Sequence, residues 1–185
     1  YWVKICHRLI LHFKEFLYMA TITFQTHPVT TSGELPAVGS LAPSFSLANN
    51  ELEDVTLQTY AGKRKILSIV PSLDTPTCAA SARKFNQKAA SFDNTVILVV
   101  SADLPFAQCR FCDIEGLDSV HALSSFRSSF GRDYGVQIVD GALSGLTARA
   151  VVVIDEHDKV IYTQLAPELA HELDYEEIIA ALKAH

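Results

Sequence analysis

An α/β fold is predicted by three features of the sequence. Two apolar, β-branched runs, Lys65 to Pro71 and Thr95 to Ser101, read as buried strands, and a helix-forming stretch from Ala79 to Ala90 lies between them. Further on, Arg149 to Ile154 and Val160 to Gln164 read as two more strands joined by the polar turn Asp155-Glu-His-Asp158. A strand-helix-strand crossover sets its strands parallel, and a following hairpin adds antiparallel ones, so the sheet is expected to be mixed.

In chain order, alternation in Thr21 to Gln25 and around Val29 to Thr31 predicts an N-terminal β-hairpin, followed by a short strand at Phe45 to Ala48. After the crossover, Leu104 to Asp113 and Ser119 to Phe130 are read as helices. The last helix opens at Asp174-Tyr-Glu-Glu177, like a capping box with Asp in place of Ser or Thr, and carries Ile178, Ile179 and Leu182 on one face. This order suits a thioredoxin-like fold: an N-terminal β-hairpin and a central mixed sheet flanked by helices. Met19 to His185 is expected to form one domain, without internal repeat or linker.

Composition narrows the function classes. The 185 residues carry a net charge of −6, with 49% hydrophobic and 19% charged residues, as expected of a chain with one substantial core. The longest basic cluster is Lys63-Arg64-Lys65, read as a solvated turn, so a nucleic-acid partner is not expected. Four cysteines in a chain of this length point to redox or catalytic use rather than a disulfide scaffold. No glycine-rich phosphate loop is present, and the scattered histidines form no recognisable Cys/His dyad.

Tyr1 to Tyr18 is read separately as an extension upstream of Met19, the sole methionine, with a targeting segment as the alternative. Lys4, Arg8, Lys14 and Glu15 break it, which argues against stable membrane insertion or a secretory signal. Trp2, Ile5, Leu9, Phe13, Phe16 and Leu17 recur at near-helical spacing, compatible with an amphipathic surface helix; Cys6 receives no role.

Cys78 ends the run Pro71-Ser-Leu-Asp-Thr75-Pro-Thr-Cys78, at the start of the first core helix. Thr75 reads as the N-cap, Pro76 as N1 and Cys78 as N3. A sulfur there faces unpaired backbone N–H groups, which favour the reactive thiolate. Position alone leaves open both a reactive thiol and a buried, inert cysteine.

The spacing Pro71-x-x-x-Thr75-x-x-Cys78 resembles the peroxidatic motif of the peroxiredoxins. The longer stretch Pro71 to Asn86 resembles the thiol peroxidase branch, an atypical two-cysteine branch of that family. So do Ala61 to Lys65, Ser101 to Gln108, Arg110 to Cys112, Tyr134 to Val136 and Gly145 to Asp155, in order and spacing. The resemblance implies attack of Cys78 on the O–O bond of hydrogen peroxide or an organic hydroperoxide, leaving a sulfenic acid. Candidates for stabilising the departing oxygen are the Thr75 hydroxyl, the backbone N–H groups near Thr77 and Cys78, and an arginine, which the resemblance identifies as Arg149, while Pro71 ends the strand and shields the sulfur. Arg149 heads an apolar strand, where a charge has no packing reason to be.

Cys112 resembles the resolving position, which implies an intramolecular Cys78–Cys112 disulfide recycled by thioredoxin. Because a disulfide needs its Cα atoms about 4.4 to 6.8 Å apart, local unwinding of the segments holding both cysteines is expected. A homodimer, a cytoplasmic location and freedom from metal or other cofactors are implied likewise. Two features depart from the family pattern: Cys109 stands where a thiol is unusual, and Pro76-Thr77 replaces a Gly-Val-like pair. Cys109 reads either as a small buried residue or as a back-up resolver or competing disulfide partner. The alternative activity is dithiol–disulfide exchange through Cys109-Arg-Phe-Cys112, although that pair sits late in its helical stretch. A metal module of Cys109, Cys112 and His121 lacks a fourth ligand.

Overall fold

The computed structural model describes residues 19–184. Tyr1 to Tyr18, with its helical spacing and Cys6, lies outside them. Nine strands form two sheets: β1 (Thr21–Phe24) pairs with β2 (His27–Thr30), and the other seven make the central sheet. These are β3 (Leu47–Ala48), β4 (Asp54–Val55), β5 (Arg64–Ile69), β6 (Thr95–Ser101), β7 (His121–Ser124), β8 (Ala150–Ile154) and β9 (Val160–Leu165). Their order is β4-β3-β7-β6-β5-β8-β9, with β5, β6 and β7 parallel and the remaining pairings antiparallel. The helices are α1 (Pro76–Lys88), α2 (Pro105–Glu115), α3 (Phe130–Asp133) and α4 (Tyr175–Ala184).

The period-two alternation of the central strands divides the core between two faces. Leu67, Ile69, Leu98, Val100, Val152 and Ile154 point to one cluster, closed by Ile22 and Val29 of the hairpin and by Phe45, Phe130 and Tyr134. Ile66, Ile97, Val99, Val151 and Val153 point to the other, closed by Cys78, Ala82 and Phe85 of α1 and Ile178 and Leu182 of α4. Phe111 and Cys112 of α2 pack at the edge of that second cluster. β5, β6 and β8 are therefore covered on both sides, and the sulfur of Cys78 belongs to the core.

Two sequence expectations are corrected. Ser119 to Phe130 is not a helix: His121–Ser124 pairs in parallel with Leu98–Ser101 as β7, and only Phe130 belongs to a helix, α3. The apolar run is too short to separate helix from strand by periodicity, and the open edge of β6 decides it. Nor is Lys63-Arg64-Lys65 a solvated turn. Arg64 and Lys65 begin β5, and Lys65, 0% exposed, forms an ion pair with Asp158 in the β8–β9 turn. At the start of α4 Asp174 caps the helix, its Oδ1 accepting from the Glu176 and Glu177 N–H groups at 3.0 and 3.1 Å, but its own N–H donates to Gln164 Oε1 at 3.0 Å rather than to Glu177, so the capping box is half made.

Candidate active site

β5 ends at Ile69, and the chain passes through buried Pro71 into α1. Thr147 Oγ1 donates to the Val70 carbonyl at 2.7 Å and holds this exit in place. Thr75 is the N-cap in extended conformation (φ −92°, ψ 144°), and Pro76 occupies the first helical position, where its missing N–H is not needed. The first helical bond runs from Ala79 N–H to the Thr75 carbonyl at 2.9 Å. Cys78 thus sits at the N-terminus of the helix that crosses between two parallel strands.

The Thr75 hydroxyl makes no capping bond to the helix. It lies 2.6 Å from Cys78 Sγ and 3.2 Å from the Ser72 carbonyl. These two neighbours suit both protonation states of sulfur. A thiol can donate to Oγ1 while the hydroxyl donates to Ser72; a thiolate receives the hydroxyl proton itself.

Arg149 approaches from the neighbouring strand. Ala150 of β8 pairs with Ile69 of β5, so the preceding residue stands opposite the strand-to-loop exit. Arg149 is 2% exposed; Nη2 donates to Cys78 Sγ at 3.2 Å and Nε to the Leu169 carbonyl at 2.9 Å, while Nη1 has no partner. A buried, unpaired cationic donor is costly, and an oxygen acceptor placed beside the sulfur would satisfy it. The Leu169 carbonyl is itself positioned by the hairpin, because Leu169 N–H donates to Thr23 O and Thr23 N–H to Pro167 O. Glu168 accepts from Thr23 Oγ1 at 2.6 Å and from the Gln25 and Thr26 N–H groups across the hairpin turn. The Thr23 hydroxyl, with those backbone donors, pulls its carboxyl down to about 2.

Asp103 lies within the Ser101 to Gln108 stretch that carries the resemblance, but sequence alone assigns it no role. Its carboxylate accepts from Ser72 Oγ and Leu73 N–H, both at 2.8 Å, and from Ser101 Oγ at 2.8 Å. One acidic side chain therefore ties the loop before Cys78 to the end of β6 and the start of α2. An open cleft of about 520 Å³ separates Thr75, Pro76 and Ala79 from Arg110, Phe111 and Ile114 of α2. The bidentate Arg83–Glu115 pair, at 2.6 and 2.9 Å, bridges α1 to α2.

The structure thus brings together Thr75, Cys78 and Arg149, keeps Pro71 buried at the strand exit, and holds Cys112 on a separate helix at the edge of the same apolar cluster. Cys78, Cys109 and Cys112 are free thiols. Cys112 is half-buried on α2, where burial, followed by Cys109 and Asp113, pushes its thiol up to about 11. Cys109 is not the small buried residue read from sequence: it is part-exposed and its Sγ lies 3.7 Å from Asp113 Oδ2. Burial and the Asp113 carboxylate raise that thiol also. Among the described residues no cluster of three His, Cys, Asp or Glu side chains could hold a metal ion, and no helix is long and apolar enough to cross a membrane.

Comparisons with known proteins place this geometry in a family context. The Redoxin family profile matches residues 37–179. The thiol peroxidase of Mycobacterium tuberculosis is 52% identical over 166 residues, covering 90% of this chain and all of that protein. The solved peroxiredoxin-like protein from Aquifex aeolicus superposes with a TM-score of 0.85 at 39% identity, over 90% of this chain and 98% of that one. At the level of fold alone, the thiol peroxidase from Chromobacterium violaceum superposes with a TM-score of 0.83 at 23% identity, over 89% and 96% of the two chains.

Proposed function

The chain belongs to the Redoxin family and is a thiol-dependent peroxidase, and we propose that Cys78 is its peroxidatic nucleophile, Thr75 and Arg149 its activating partners and Cys112 its resolving thiol. The observation that carries this reading is the pair of contacts on one buried sulfur, 2.6 Å from Thr75 Oγ1 and 3.2 Å from Arg149 Nη2, with Arg149 Nη1 left unpaired. The Cys78 thiolate attacks the nearer peroxide oxygen; the S–O bond forms as the O–O bond breaks. The departing hydroxide or alkoxide develops charge where a buried guanidinium donor is free, then takes a proton and leaves as water or alcohol. Pro71 keeps the sulfur dry at the strand exit.

The Cys112 thiol then condenses with the Cys78 sulfenic acid, releasing water and forming a disulfide. Opening of α2 supplies the movement. Of its residues only Pro105 and Gln108 are fully buried, against five in α1, so α2 is the less anchored of the two helices. Hydrogen peroxide and organic hydroperoxides are the substrates, thioredoxin the reductant, the cytoplasm the compartment and a homodimer the assembly in this reading. The electrons come from thiols, so the cycle needs no cofactor.

The competing exchange activity through Cys109 and Cys112 has a weaker position, because that pair lies beyond the first turn of α2 rather than at its N-terminus. One experiment separates them. Cys78→Ser should abolish peroxide consumption. In a Cys109→Ser background, one equivalent of cumene hydroperoxide should yield a Cys78–Cys112 bridge in the disulfide map. Full consumption by Cys78→Ser, or Cys78 left reduced in the second protein, would refute the scheme.

A further inference from the structure

Cys109 and Cys112 lie three residues apart on α2, and both are free thiols at least partly open to solvent. We infer that Cys109 is a relay thiol: it attacks Sγ of Cys112 in the Cys78–Cys112 disulfide, releases Cys78 as a thiolate, and stores the oxidation in a Cys109–Cys112 bridge on α2. This rests on Cys112 being the resolving thiol.

Helix geometry gives the exchange its direction. From the radius and rise of an α-helix, Cα atoms three residues apart are about 5 Å from one another, inside the span a disulfide accepts. On a wound helix the Cβ atoms of such a pair are about 5 to 6 Å apart and must close to about 3.5 to 4.5 Å, so a Cys109–Cys112 bridge asks for distortion of a single turn of α2. A Cys78–Cys112 bridge instead ties two helices together and must draw on Cys78, which is sealed in the core, from Cys112 at the edge of the same cluster on α2. Exchange lets α1 and α2 repack. It also returns the departing sulfur to Thr75 Oγ1 and Arg149 Nη2, and a better-stabilised thiolate leaves faster.

Asp113 makes the relay conditional on opening. Its Oδ2 lies 3.7 Å from Cys109 Sγ, one helical turn away, and that spacing exists only while α2 is wound. In the closed enzyme Cys109 is held as a thiol; unwinding separates it from the carboxylate and exposes it to water. The reaction is balanced within the chain: the Cys109 thiol loses its proton to solvent, the S–S bond moves from Cys78–Cys112 to Cys109–Cys112, and no external oxidant enters. A dithiol reductant then reopens a bridge on α2 instead of one buried at the nucleophile. Meanwhile Cys78 is free to react again.

The stoichiometry of peroxide consumption tests the relay. Reduced full-length protein, freed of reductant, is given two equivalents of hydrogen peroxide and then dimedone. Wild type should consume about two equivalents per chain and yield a Cys109–Cys112 bridge with Cys78 dimedone-labelled, whereas Cys109→Ser should consume about one and stop at Cys78–Cys112. Wild type that stops at one equivalent with a Cys78–Cys112 bridge and an alkylatable Cys109 overturns the relay and leaves the peroxidase reading standing. A Cys109–Cys112 bridge forming at the wild-type rate in Cys78→Ser also overturns it, as direct oxidation of that pair. Absence of a Cys78–Cys112 bridge in Cys109→Ser sinks the resolving scheme beneath it.

Discussion

Thr75 directs its hydroxyl to the sulfur of Cys78 rather than to a free helix N–H, which separates catalysis from stability at a single side chain. Replacing an N-cap Thr ordinarily costs about 1 kcal/mol through the lost capping bond. Thr75→Val keeps the β-branched volume and has no such bond to lose, so a smaller change is expected in chemical denaturation. The second-order rate with peroxide should instead fall by about 10² or more, the scale of removing one oriented donor, and Thr75→Ser should restore most of it. A large stability loss with an unchanged rate would reverse these roles. Arg149→Lys keeps the charge but cannot hold Leu169 O and Cys78 Sγ while leaving a third donor free. A comparable rate loss is expected in stopped-flow measurements.

At the scale of the element, α1 and α2 differ in how firmly they are held. α1 contributes Cys78, Ala79, Ser81, Ala82 and Phe85 to the interior, whereas α2 leaves Phe106 67% and Ile114 76% exposed. Amide exchange should therefore be faster along α2. The Cys112 thiol adds a pH dependence. Its folded value of about 11 lies above the roughly 8.5 of an exposed cysteine, so the closed helix favours the proton. That contribution is fully present below about pH 8.5 and is lost as pH rises toward 11, where the opened, deprotonated segment gains. Disulfide formation, followed as decay of the Cys78 sulfenic acid, should accelerate through this window. A flat profile between pH 8 and 10 would contradict coupling of opening to deprotonation. Both helices were legible from sequence for local reasons, α1 from its Thr75-Pro76 start and α2 from the helical pattern of Leu104 to Asp113. The difference in their anchoring was not, because it depends on what packs against them.

For the whole molecule, the mixed sheet aligns distant segments. Antiparallel pairing of β8 with β5 carries Arg149 to Cys78, and the Lys65–Asp158 pair ties the start of β5 to the β8–β9 turn. Lys65→Ala removes the cation from a fully buried position and leaves Asp158 alone. Because the Asp158 side chain keeps 25% exposure, the cost should sit at or below the low end for broken buried pairs, about 2–3 kcal/mol in denaturant unfolding. Lys65→Met, which fills the space, should cost less, and neither change should alter the initial rate of peroxide attack. An equal loss from both variants would mean packing, not charge, dominates there.

By itself the sequence determined what depends on neighbours along the chain: the continuous apolar runs of β5, β6 and β8, the Thr75-Pro76 start of α1 with Cys78 at its third position, and the capped opening of α4. Tertiary structure alone decided that Val120, Ala122 and Leu123 flank or form a strand rather than a helix, because the free edge of β6 offered hydrogen bonds that a short apolar run could not specify. It alone found Asp103 holding the loop before Cys78 and Lys65 buried against Asp158. It alone set the donors of Arg149 beside a sulfur 71 residues earlier in the chain. Chain-local geometry is written in spacing, whereas meetings between distant side chains follow from sheet register, which the whole molecule selects when it closes its core.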